Sequence, residues 1–149
     1  MQGTAHHTNS TISLVLFIIL SILPPVCLFA YNNEPDGYNG IKWGTNIDSL
    51  KNMRYLKTHP KNGKVTYYAR QDDALTFGDA ILKSVEYGFT DGKFFSVSLK
   101  VADILNYVAM KKAAFDRFGE GTAFDKFSER YFWEGQKTRI TLVSAFDIS

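Results

Sequence analysis

The chain has 149 residues, with 17 Lys and Arg against 15 Asp and Glu, 15% aromatic residues and one cysteine. Without its first 30 residues, which read below as a cleaved signal, the chain has a length that suits one domain with a real core, and a formal net charge of +2 is not a nucleic-acid footprint. A lone Cys27 excludes an internal disulfide and a cluster of thiolate metal ligands.

Residues 1–30 contain no Lys, Arg, Asp or Glu, and residues 12–23 form an apolar run stopped by Pro24-Pro25. At about 1.5 Å per residue the run spans roughly 18 Å, short of the roughly 30 Å hydrocarbon core. Residues 1–30 are therefore expected to be a secretory signal peptide cleaved after Ala30, which places the protein in a bacterial periplasm or outside the cell. An uncleaved membrane anchor is the alternative. Cleavage removes Cys27, and with it any disulfide-linked partner. Residues 31–39 carry Pro35 and Asp36-Gly37 and read as a flexible linker, and 40–149 as a single domain.

The domain opens with Gly40-Ile41-Lys42-Trp43-Gly44, after which Thr45 and Asp48 form a capping-box-like pair. Ile47, Leu50 and Met53 share one face of the short helix expected there, about two turns long and dependent on tertiary packing. The Gly40 to Thr45 sequence resembles the Gly-Ile-x-Trp-Gly-Thr opening of uncharacterised secreted bacterial domains, over residues 40–144. More remotely, Gly44-Thr45 and the Ile47/Leu50 helix are similar to the start of the helix-then-sheet unit in beta-lactamase-inhibitor-like domains, including small outer-membrane assembly lipoproteins. The Leu-Gly-x-Pro ending of those units is absent here, as is a Gly-x-Thr before the second helix, so no binding residue is carried over.

Strands are expected over 54–58 and 65–70, separated by His59-Pro60 and a Lys61-Asn62-Gly63-Lys64 turn, with a brief strand at 75–77. The organising element is a hairpin over 80–101. Val85, Tyr87 and Phe89 alternate with smaller or polar residues in its first strand, and Phe95, Val97, Leu99 and Val101 do so in its second. A two-residue Asp91-Gly92 loop pairs Phe89 with Phe94 and sets the two apolar rows on opposite faces. A three-residue Thr90-Asp91-Gly92 loop, with Gly92 left-handed, pairs Tyr87 with Phe95 and Val85 with Val97, and is the expected turn. Asp103 then caps a helix over 104–118 with Leu105, Val108, Phe115 and Phe118 along one stripe and Gly119 just past its end. A second hairpin follows over 130–133 and 138–145. The expected fold is α+β: a two-layer domain with an antiparallel sheet, one main helix packed on one face and a short N-terminal helix.

Catalytic signatures are sparse. His59 lies in a lysine-rich loop without a sequence-adjacent carboxylate to orient it, Asp72, Asp73 and Asp79 lack the spacing of a calcium loop, and Gly119-Glu120-Gly121 ends a helix instead of opening one. No catalytic residue, metal or cofactor is expected. The aromatic residues are more informative. Tyr67-Tyr68 and Tyr131-Phe132-Trp133 place successive rings on alternate sides of strands, so some leave the helix-covered face. Together with Trp43 they can form a platform for a sugar, a lipid or an apolar side chain; otherwise Trp43 plugs one end of the core and loops cover the rest. Residues 41–70 carry Lys42, Lys51, Arg54, Lys57, Lys61, Lys64 and Arg70 against Asp48 alone, while Asp72, Asp73, Asp79, Glu86 and Asp91 follow against Lys83. The basic segment can steer the domain to an anionic surface, or the two segments fold side by side and compensate. The resulting expectation is a non-catalytic envelope module that binds an envelope protein or an anionic envelope component through Trp43, Lys57, Tyr67, Tyr68, Tyr131 and Trp133. The alternatives are a small secreted hydrolase using His59 and a carrier of a small apolar ligand.

Overall fold

In the computed structural model, residues 31–61 and 63–144 are described; the expected signal peptide and Ala145 lie outside them. The elements in order are β1 (Gly37–Tyr38), β2 (Ile41–Lys42), a 3-10 turn (Ile47–Ser49), β3 (Met53–Thr58), β4 (Val65–Arg70), β5 (Thr76–Phe77) and β6 (Ala80–Ile81). They continue with β7 (Ser84–Thr90), β8 (Lys93–Lys100), α1 (Ile104–Phe118), β9 (Thr122–Ala123), β10 (Arg130–Glu134) and β11 (Arg139–Val143). A four-stranded sheet runs β3-β4-β7-β8, a three-stranded sheet runs β11-β10-β9, and β1-β2 and β5-β6 are separate ribbons. All these pairings are antiparallel. Antiparallel sheets with one α-helix make the domain α+β. Among the described residues no helix is long and apolar enough to cross a membrane.

The central hairpin corrects the expected turn. Thr90 pairs with Lys93 and Phe89 with Phe94, so the loop is the two-residue Asp91-Gly92, with both φ values positive (48° and 74°) as a type I′ turn requires. The lost alternation is restored by a register shift: Gly88 pairs with Ser96, which leaves Phe95 as the extra residue of a β-bulge. Beyond it Tyr87 faces Val97 and Val85 faces Leu99. The favoured turn and the one-sided apolar row are thus compatible, because one bulged residue changes the parity of the strand. Phe94 enters the core, and Phe95 stays 47% exposed.

Tyr87, Phe89 and Phe94 are the largest fully buried side chains, in one cluster that also takes Val85, Leu82, Ile41, Trp133 and Leu142. The Tyr87 hydroxyl donates to Asp73 Oδ2 at 2.6 Å, and burial, reinforced by that carboxylate, raises the phenol above its ordinary range. Asp72 instead accepts from Arg70 at 3.1 Å.

α1 begins where its cap places it. Asp103 accepts from Asn106 N at 2.9 Å, and Gly119 N closes the last turn on Phe115 O. Its buried side differs from the expected stripe: Tyr107, Met110, Ala114 and Phe118 are buried, whereas Leu105 and Val108 are 78% and 56% exposed. At about 100° per residue the buried four fall within a stripe of roughly 80°, and Leu105 lies about 160° from Tyr107. The long Tyr107 and Met110 side chains and the small Ala114 set the contact face. α1 packs on β6 and on the β5–β6 turn, where a Cβ on Gly78 would approach Ala113 Cβ to 2.5 Å, and on β10 through Phe115 and Phe118.

Two N-terminal expectations are also corrected. In place of a two-turn helix capped by Thr45 there is a single 3-10 turn capped by Asn46, whose side chain accepts from Asp48 N. Ile47 N donates to Gly92 O, so docking on the central turn ends the segment early, and Met53 already begins β3. Residues 31–39 are built into the fold instead of forming a loose leader. Tyr31 meets Phe118 edge-on, Asn33 donates to Arg117 O at 2.8 Å, Trp43 Nε1 donates to Pro35 O at 2.9 Å, and β1 pairs with β2.

Candidate binding surface on the four-stranded sheet

Strand parity sends Val85, Tyr87 and Phe89 to the core and Glu86 and Gly88 to the opposite side of β7. Across the sheet, Lys57 pairs with Tyr67, Tyr67 with Gly88, and Gly88 with Ser96, forming one row over all four strands. Gly88 is the floor of this row. A Cβ there would lie 2.2 Å from Ser96 Oγ and 3.3 Å from both Phe95 Cε1 and Tyr67 Cε1, so the two rings close over a residue that has no side chain of its own.

One step along the strands, Glu86 joins two cations. It meets Lys57 Nζ at 2.9 Å and Lys100 Nζ at 2.6 Å; its side chain is 14% exposed, theirs 52% and 50%. The hydrogen bond from Lys100 above all, with that from Lys57, holds the Glu86 carboxyl below the usual carboxylate range against the opposing effect of burial. Lys57 Nζ also stands 5.3 Å from the Tyr67 ring centroid. An ammonium has three donors, so both lysines retain hydrogen-bonding capacity toward an anion while Glu86 fixes their position. Arg70–Asp72 and Lys57–Glu86 also show the basic segment folding beside the acidic one. The arrangement offers apolar rings, a low floor and two anchored cations.

Of the six residues singled out in the sequence, Lys57 and Tyr67 come together here, and the other four go elsewhere. Tyr68 turns to the core side, edge-on to Phe89 at 5.4 Å. Trp43 packs on Phe94 at 4.7 Å. Trp133 is 2% exposed, lies against Phe115 and Phe118, and donates to Gly119 O at 2.9 Å. Tyr131 meets Phe115 at 5.1 Å, and its hydroxyl accepts from Lys111 at 2.9 Å. Phe95, Glu86 and Lys100 join the surface instead. Phe95 was hidden by the expected register, and the Glu86/Ser98 and Ser84/Lys100 pairings become readable only once the bulge is known.

His59 Nδ1 accepts from Lys61 N at 3.3 Å, and among the described residues it forms no ion pair. Two surface grooves run elsewhere, one of about 280 Å³ beside Tyr31, Phe118 and Trp133, the other of about 520 Å³ along Ile104, Val108 and Phe115. Among the described residues no group of three or more His, Cys, Asp or Glu could hold a metal ion. Comparison with protein-family models, with curated proteins and with solved structures finds no match for this chain.

Proposed function

We propose that this protein is a non-catalytic binding module of the bacterial cell envelope, exported by a cleaved signal at 1–30. It engages an envelope protein or an anionic envelope component through the outer face of the four-stranded sheet. In this reading α1 and its neighbouring strands form a layer over the core side of that sheet, and the Gly40 to Thr45 resemblance to secreted domains has the same sense. The observation that carries it is the pair of half-exposed lysines fixed by one largely buried Glu86, next to Tyr67 and Phe95 over Gly88. Isolated surface ion pairs contribute little stability, and a cation pair held beside exposed rings is matched to an anionic, partly apolar partner. The hydrolase alternative has no comparable support, since His59 is engaged with its own turn.

The test is retention of the protein by envelope extract and by vesicles of anionic phospholipid. Lys57→Gln, Lys100→Gln and Phe95→Ser are each expected to reduce retention at least about tenfold, with the fold itself retained by far-UV circular dichroism. Unchanged retention in all three variants refutes this surface. Loss on vesicles alone identifies lipid, and loss on extract alone identifies protein.

A further inference from the structure

The strap at 31–36 delivers a carboxylate to a distant turn. Glu34 Oε1 accepts from Lys137 N at 2.7 Å, Thr138 N at 2.6 Å and Thr138 Oγ1 at 3.0 Å, and Oε2 accepts from Gln136 N at 3.1 Å. These donors belong to the loop joining β10 and β11, closed by Gly135 N on Thr138 O. Successive backbone N–H groups converging on one anion form a nest, and their bonds to a carboxylate are charge-assisted. The bond from Lys137 N is the leading cause holding the Glu34 carboxyl below its usual range. Gly135 keeps the approach open: a Cβ there would lie 2.3 Å from Glu34 Oε1 and 2.8 Å from Tyr31 Cε1.

Three residues earlier, Tyr31 sets its ring edge-on to Phe118 and its hydroxyl against Thr138 Oγ1. The turn therefore reads a pattern, an aromatic ring followed three residues later by a glutamate. The strap's other holds include Asn33 on Arg117 O and the Pro35 and Asp36 carbonyls under Trp43 Nε1 and Trp43 N, and a groove of about 280 Å³ runs beside it between Tyr31, Phe118, Thr122 and Trp133.

We propose that the β10–β11 turn is a receptor for the glutamate side chain of an extended aromatic-x-x-Glu segment, filled in cis by Tyr31 and Glu34. The strap is then a latch, and the site accepts the same pattern from another protein when the latch is displaced. Occupation in cis lowers the apparent affinity for such a segment by the fraction of time the latch is closed. This site is separate from the outer face of the four-stranded sheet, and either can fail without the other.

The experiment uses the chain carrying Tyr31→Ala and Glu34→Ala together, titrated with the acetylated peptide Tyr-Asn-Asn-Glu-Pro-Asp and followed by amide NMR. Saturable shifts at Gln136, Lys137 and Thr138 are expected. The peptide with Gln in place of Glu should bind at least about tenfold more weakly, and so should the Glu peptide to the unaltered chain. Equal response to both peptides, or response to neither by the folded variant, overturns the proposal. Should the double variant not fold, Glu34→Gln serves: amide exchange at Lys137 and Thr138 should rise about tenfold with β7 and β8 unaffected, and unchanged exchange overturns it equally.

Discussion

Trp133 distinguishes a core residue from a binding residue most sharply. Its indole is 2% exposed, lies 5.3 Å from Phe115 and 6.2 Å from Phe118, and donates to Gly119 O. Gly121 is flush against it, since a Cβ there would approach Cζ2 to 2.7 Å, so backbone lines part of the space that truncation would empty and limits its collapse. Trp133→Ala should therefore fall in the range for large aromatic truncations, about 3–5 kcal/mol. For a domain of this size, whose total stability is on the order of 6–17 kcal/mol, that corresponds to a thermal midpoint lower by about 10–20 °C. Trp133→Phe keeps most of the ring packing and loses the indole N–H; its expected cost is about 2 kcal/mol. Urea denaturation followed by far-UV circular dichroism measures both. A Trp133→Ala midpoint within about 0.5 kcal/mol of the parent, together with lost partner retention, would refute the core assignment and return Trp133 to the binding surface.

Other substitutions probe neighbouring contacts. Gly78 has φ +58°, and a Cβ there meets Ala113. Gly78→Ala should cost about 2–3 kcal/mol, and adding Ala113→Gly should recover part of it despite a helix-propensity cost of about 1 kcal/mol; simple additivity would refute the clash. Tyr87→Phe removes the hydroxyl bound to Asp73 and should cost about 1–2 kcal/mol, measured by the same denaturation; an unchanged midpoint would show that this bond adds nothing to stability. Glu34 and Glu86 have carboxyl pKa values lowered by folding, so the stability they contribute is present above the unfolded value of about 4.3 and is lost as pH falls through the folded values. Midpoints should drop as pH falls below that value, less steeply in Glu34→Gln; identical pH profiles would remove Glu34 from the linkage.

The parts legible in the sequence are those fixed by near neighbours. Asp103 and Gly119 bound α1 because capping is settled within a few residues, and β4 is read correctly from Val65–Arg70. The side that α1 buries was not legible, because its apolar residues nearly encircle it and tertiary packing, not the helix pattern, selects Tyr107, Met110 and Ala114 over Leu105 and Val108. The strap was hidden for a similar reason. Tyr31, Glu34 and Pro35 have the composition of a linker, and their partners Phe118, Thr138 and Trp43 are recognisable only in the folded chain. Lys57 and Tyr67 were found through charge and aromatic content, whereas Glu86 and Lys100 required the register.

That register yields the last prediction. One extra residue, Phe95, both preserves the core and places a ring on the outer face, so fold and candidate surface depend on the same bulge. Deleting a residue from a strand ordinarily turns everything beyond it to the wrong face. Deleting Phe95 should not. Ser96 would then follow Phe94 directly, still opposite Gly88, with Val97 opposite Tyr87 and Leu99 opposite Val85 as before, in an unbroken ladder on the same two-residue turn. Gly88 would lose one of its two covering rings, a cost on the order of 1 kcal/mol. The shortened chain should therefore fold cooperatively with its core amide protection intact, while partner retention falls as it does for Phe95→Ser. Deleting Val97 instead would bring Ser98 opposite Tyr87 on the core side and should unfold the domain. Equal damage from the two deletions would show that the strand has no spare residue at Phe95 and that the turn is not the two-residue loop.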